Sequence, residues 1–309
     1  MAEIIQKDGA WAFDGDALRL TPGRDRNISV LRRTLGELRV PLRALAGISF
    51  EQGKRAGRLR LRLRDGADPL LHATGGRLAE PHDPYQLLVE PDRFGVAEYV
   101  ADEVRNALLL EQVPTGPVTE YLLPGPAVPL SVSAGDGTAS FDGERIRLEW
   151  NWKTEDAKAA AGPRALTPAD LTGVEWLPAA GLENGHLRLA VRGAPDATPP
   201  KYDPNAVELW GFKKDPLMAL VAAAIQARLP HPAAAAALAP GPDAAGADVG
   251  ADGPAVLGTG RAAPHGAPPA EDEHDALLRR LRELGELHRS GVLTEEEFAL
   301  AKQAVLKRM

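Results

Sequence analysis

The first three-quarters of this chain carry one pattern twice. Phe13-Asp14-Gly15 returns as Phe141-Asp142-Gly143, and Gly47-Ile48-Ser49-Phe50 returns as Gly173-Val174-Glu175-Trp176. Gly57-Arg58-Leu59-Arg60-Leu61 matches Gly185-His186-Leu187-Arg188-Leu189, and Asp83-Pro84 matches Asp203-Pro204, each pair ahead of an apolar strand and a helix. The offset is about a domain length, much longer than a solenoid repeat, so the chain holds two copies of one foldable unit. A length of 309 residues accommodates two such bodies and a small appendage.

Each copy reads as short strands closed by a helix, an α+β class. In the first copy, residues 1–113, Asp14-Gly15 is a tight turn between two apolar runs. Residues 36–50 mix strand-like runs with a bend after Pro41. Residues 58–64 alternate Arg and Leu at period two, as in a strand with one buried face. Residues 69–73 and 85–89 are expected to return as strands. Val96, Tyr99, Val100, Val104, Ala107 and Leu108 then recur at helical spacing. The second copy, residues 125–230, repeats the order, with strands over 146–152, 174–176, 187–191 and 207–210. Asp215 is expected to cap its closing helix with Pro216 in the first turn, burying Leu217, Leu220, Val221, Ala224, Ile225 and Leu229 as a stripe.

Residues 231–270 differ in kind. Nearly three-quarters of them are Ala, Gly or Pro, with almost no charge and no apolar period. Such a segment buries too little surface to offset its ordering entropy, so a flexible linker is expected. Over residues 271–309 apolar periodicity returns in Leu277, Leu278, Leu281, Leu284 and Leu287, and Thr294 with Glu297 forms a capping box for a second helix. A two-helix hairpin of under 40 residues is too small to stand alone, so it should dock or self-associate.

Those residues carry a resemblance. Leu281-Arg282-Glu283-Leu284, the run His288 to Phe298 with its G-V-L-T-E-E-E-F core, Lys302 and Leu306 resemble the short C-terminal domain SHOCT. The duplicated region resembles the bacterial domain of unknown function DUF4429. The aspartate-glycine hairpins, the Val40 to Phe50 segment and the Asp-Pro-strand-helix endings carry that likeness. The strand order is similar to pleckstrin-homology-like domains, which implies a bent antiparallel sheet or partial barrel plugged by a C-terminal helix. The family supplies no catalytic residues to carry over.

The candidate sites are few. Lys54, Arg55, Arg58, Arg60, Arg62 and Arg64 could present a row of cations, with heads on one strand face about 7 Å apart. That row could grip anionic lipid or phosphate, or it could be a solvated face paired with acids such as Glu37 or Glu51. Trp150, Trp152, Trp176 and Trp210 suit core packing better than an aromatic contact surface, and Lys213-Lys214 suit an exposed corner. Leu281, Leu284, Leu287, Leu293, Phe298 and Leu306 would form the contact surface of the hairpin.

The seven histidines have no recognised ligand spacing, no cysteine is present, and no phosphate-loop, dinucleotide or hydrolase motif occurs. No catalytic residue, metal or cofactor is therefore expected, and the chain reads as non-enzymatic. Net charge is −7, which gives no global attraction to nucleic acid, and none is expected as a partner. The N-terminus lacks a signal-peptide pattern and no apolar run reaches the roughly 20 residues of a membrane span. The expectation is a cytoplasmic binding or scaffold protein that recognises a protein or ligand through its head and self-associates through residues 271–309. The alternative is a peripheral protein held on an anionic membrane by the arginine face.

Overall fold

The computed structural model describes residues 1–194 and 198–234. The elements of the first copy are β1 (Ala2–Ile5), β2 (Gly9–Phe13), β3 (Ala17–Pro22), α1 (Val30–Leu35), β4 (Leu38–Pro41), β5 (Leu45–Glu51), β6 (Gly57–Leu63), α2 (Pro69–Thr74), β7 (Gln86–Val89) and α3 (Phe94–Leu110). The second copy contributes β8 (Leu130–Ala134), β9 (Gly137–Phe141), β10 (Ile146–Trp150), α4 (Asp156–Ala160), β11 (Arg164–Leu166), β12 (Leu171–Leu177), β13 (Gly185–Val191), β14 (Ala206–Leu209) and α5 (Met218–Gln226).

Each copy builds a four-stranded antiparallel meander, a three-stranded antiparallel meander and a closing helix. The sheets run β1-β2-β3-β4 and β5-β6-β7 in the first copy, and β8-β9-β10-β11 and β12-β13-β14 in the second. The aspartate-glycine hairpins form as expected. Asp14 accepts from the Asp16 and Ala17 N–H groups, and Asp142 accepts from those of Glu144 and Arg145. These bonds stabilise the carboxylates and lower both pKa values. β6 sends Leu59, Leu61 and Leu63 into the first core, which also takes Trp11 and Phe13 from the other sheet and Val100 and Val104 from α3. Burying alternate side chains on two facing sheets is what the period-two pattern dictates.

Four local expectations are corrected. Residues 69–73 are not a strand but lie in α2, because Asp68 accepts from the Leu70 and Leu71 N–H groups and Pro69 takes the first turn. Gly75, in the left-handed region, closes the helix. Asp215 does not cap α5. Its Oδ2 accepts upstream from Gly211 and Phe212 N–H at 2.7 and 3.0 Å, and a short 3₁₀ turn leads into the helix. Tyr99 lies on the wet side of α3, 54% exposed, because Ala97 and Ala101 take the core positions beside Val100 and Val104. β10 ends at Trp150, which leaves Trp152 79% exposed while Trp176 is core.

The largest departure concerns α5. All nine of its residues are buried, not a stripe, because α2 of the first copy lies across the face that the second copy's sheets leave open. Leu31, Leu70 and Ala73 of the first copy belong to the second copy's core. The described residues of both copies accordingly fall within one compact unit. The intervening segment follows this junction. Val118 N–H donates to Asp65 O, and the Leu122 and Leu123 N–H groups donate to Ala67 O. Gly125 then passes so close to α5 that an added Cβ would stand 2.5 Å from the Ala227 methyl. The segment beginning at His231, expected to be flexible linker, starts packed. His231 is buried, its Nε2 lies 3.1 Å from Gly66 O, and its Nδ1 accepts from the Ala233 N–H.

Candidate functional site

β6 places Arg58, Arg60 and Arg62 on one outward face, as its alternation requires, with Arg64 just beyond the strand. Their partners lie within the molecule. Arg58 and Arg60 donate to the same Glu80 oxygen at 2.8 and 2.7 Å. Arg62 reaches Ala46 O at 3.4 Å. Arg64 donates to the carbonyls of Gly116, Arg43 and Pro117. Lys54 and Arg55 are exposed in the β5–β6 turn. Glu80, from the turn after α2, is the acid that meets the row. Glu37 instead pairs with Arg19. Sequence reasoning missed Glu80 because it lies outside the sheet pairs of β6. The hairpin positions Leu281, Leu284, Leu287, Leu293, Phe298 and Leu306 lie outside the described residues.

A second charged feature recurs in both copies and was also missed. Asp8, in the β1–β2 turn, pairs with Arg32 of α1 at 2.8 Å and accepts the Leu88 N–H on its other oxygen. Asp136, in the β8–β9 turn, pairs with Lys158 of α4 at 2.6 Å and accepts the Glu208 N–H. Lys158 also sits 4.5 Å from the centroid of the Trp150 ring. Each aspartate therefore ties a hairpin, a short helix and the strand before the closing helix together. Burial raises the Asp136 pKa even against the attraction of Lys158. The sequence signal was an extended form of the repeat, D-G-x-x-x-F-D-G, at Asp8–Gly15 and Asp136–Gly143.

Polar groups also stitch the copies together. Gln226 of α5 donates to the Tyr121 oxygen at 2.7 Å, and that hydroxyl shares a hydrogen bond with His72 Nδ1 of α2 at 3.0 Å. Arg77 stands 3.7 Å from Glu175 of β12. Buried Asp68 holds the Tyr85 hydroxyl as well as the start of α2, and burial raises both pKa values. Burial lowers the His72 pKa, assisted by the nearby His231.

Beside this junction lies a cleft of about 460 Å³ with one wall from each copy. The first copy supplies the approach to α1 (Arg26 to Val30) together with Ala79 and His82, and the second supplies the end of β12 and the Gly211 to Pro216 corner. Trp176 is the buried floor, and Ile28, Val30, Phe212 and Pro216 give apolar walls. Ser29 stands at the N-cap position of α1, but its hydroxyl is shared with His82 Nδ1 at 2.7 Å. Burial lowers the His82 pKa, which favours the neutral ring. Lys213 and Lys214 are exposed at the corner, as their sequence suggested. No single stretch of sequence contains this cleft, and nothing local marks it.

Among the described residues there is no cluster of His, Cys, Asp and Glu able to hold a metal, and no helix is long and apolar enough to cross a membrane. No curated protein matches the chain. Residues 279–306 match the family model described as Short C-terminal domain (SHOCT). Residues 11–105 and 139–226, more than half of the chain, match the model described as Domain of unknown function (DUF4429). Both matched segments run from the first paired hairpin into the closing helix, the unit that the structure repeats. The chain therefore belongs to the DUF4429 family, with two copies of that domain followed by a C-terminal SHOCT segment.

Proposed function

We propose that this protein is a non-enzymatic recognition scaffold. In this reading two pleckstrin-homology-like copies make one rigid head, and residues 271–309 bring copies of the chain, or a partner protein, together. Four strands, three strands and a closing helix, in that order in both copies, support the pleckstrin-homology-like assignment.

The observation that carries the reading is the complete burial of α5 beneath α2 of the other copy. It fixes the two copies as one preformed surface, so recognition requires no prior ordering of the head. Buried acids support a structural use of the charges. Asp68 caps α2, Asp136 holds Lys158, and Asp215 holds a backbone corner. The arginine face is similarly occupied by Glu80 and by backbone carbonyls.

Light scattering on the full chain and on residues 1–234, which keep the whole of the described head, tests the assembly half. The full chain should have a mass that is a multiple of its monomer at micromolar concentration, and the head should be monomeric. Monomeric masses for both would overturn self-association through residues 271–309.

A further inference from the structure

We infer that the junction cleft is a binding site for a small organic anion with an apolar, ring-containing body. The inference rests on reading the head as a recognition module and adds the chemical class of what it takes. A volume of about 460 Å³ lies within the roughly 300–1,000 Å³ of small-molecule sites. The walls are apolar, with Trp176 below and Phe212 and Ile28 at the sides, which suits a flat hydrophobic body.

The charge at the cleft is what selects an anion. Arg26 on the first copy's wall and Lys213 on the second's are both exposed, and neither has an ion-pair partner among the described residues. Neither is matched to a carboxylate as Arg32, Arg58, Arg60 and Lys158 are, so both charges are left to a ligand. The one acid lining the cleft, Asp215, is buried; its Oδ2 accepts from the Gly211 and Phe212 N–H groups, and its Oδ1 is buried without a hydrogen-bond partner. His82 is tied to Ser29 and adds a polar ring edge. Two cations lining one apolar slot, one from each copy, complement a carboxylate, sulfonate or phosphate carried on a hydrophobic body. Because each copy supplies one cation, the site exists only while α2 and α5 hold the copies together.

The probe is 8-anilinonaphthalene-1-sulfonate, an aromatic sulfonate, titrated by fluorescence into the full chain at neutral pH. Saturable binding at one site is expected. Arg26→Glu with Lys213→Glu should weaken it by about tenfold or more, since two surface charge contacts become repulsive. Ala79→Trp, at an exposed lining position, should weaken it comparably by filling the slot with no change of charge. Arg145→Glu with Arg147→Glu makes the same charge change on β10 and its turn, away from the cleft, and should leave binding unchanged.

The charge variant and the volume variant act independently, so either one decides the matter should the other disturb folding. Absence of a saturable site would overturn the inference, as would equal weakening by both charge pairs or full binding by Ala79→Trp. A chain that self-associates but fails these titrations overturns this inference alone. One that binds but stays monomeric overturns only assembly through the tail.

Discussion

The two closing helices occupy the same place in the repeat and have opposite surroundings. α3 runs for 17 residues and buries Ala97, Val100, Ala101 and Val104, while its other side carries Glu98, Asp102 and Arg105, the last two paired at 2.8 Å. α5 has nine residues, Met-Ala-Leu-Val-Ala-Ala-Ala-Ile-Gln, none charged and all buried. The charged flank of α3 favours water. The alanine-rich flank of α5 lets α2 approach closely, and α2 has no helical counterpart among the described residues between β13 and β14. A gene duplicated in sequence is thus not duplicated in energetics. The second copy completes its core with side chains of the first, so the boundary between copies is not a boundary of stability.

That asymmetry is open to direct attack. The largest effect is expected at Ala222, fully buried in α5. Ala222→Glu places an unpaired carboxylate between the two copies and should cost more than about 4 kcal/mol, enough to prevent folding of the head. Circular dichroism of the purified variant reads this directly.

Next comes Leu70→Ala on α2, with an expected loss of about 2–5 kcal/mol in denaturant unfolding. Its sharper readout is hydrogen exchange. Although the substitution lies in the first copy, α5 and β12 of the second should lose protection. Protection lost only in the first copy would show that the cores are separate after all.

Acid should loosen the same junction. Burial lowers the folded pKa of His72, His82 and His186 below the usual 6.5. A histidine of this kind favours the fold while neutral. Its contribution is complete above the unfolded value and is lost as pH falls through the folded one. These histidines should therefore pull the melting midpoint down as pH falls from about 7.5 through 6.5, while the raised carboxylates Asp68, Asp136 and Asp215 act with the opposite sign, starting at their folded values above 3.8 and finishing near 3.8. His72→Gln should make the drop shallower, because one of the three groups no longer titrates. An unchanged slope would remove His72 from the account.

The smallest effect is expected at Asn106, exposed on α3. Asn106→Glu introduces the same side chain as Ala222→Glu, yet should change stability by no more than about 0.5 kcal/mol. A large loss there would mean that α3 too is covered, and the contrast between the helices would fail.

Much of this was legible in the chain because its signals are local. The Asp-Gly hairpins announce themselves through turn chemistry, β6 through its period of two, and α3 through one polar flank. The absence of charge around α5 was legible as well. An apolar helix on every side is one buried on every side, but attention to its larger residues alone suggested a stripe. α2 was misread because six residues carry too little periodicity to separate strand from helix. Asp68 and Pro69, a cap and a first-turn residue, held the better signal.

The sequence by itself determined that there are two copies, where their hairpins turn, and which strand faces are apolar. Those features depend on residues within a few positions of one another, where backbone sterics and side-chain period act. Tertiary structure alone decided that α2 covers α5, that Glu80 meets Arg58 and Arg60, and that Arg26 and Lys213 flank one cleft. Those partners stand about 20 to nearly 190 positions apart, and no short-range rule ranks one distant partner over another. Only the burial of the whole chain at once makes that choice.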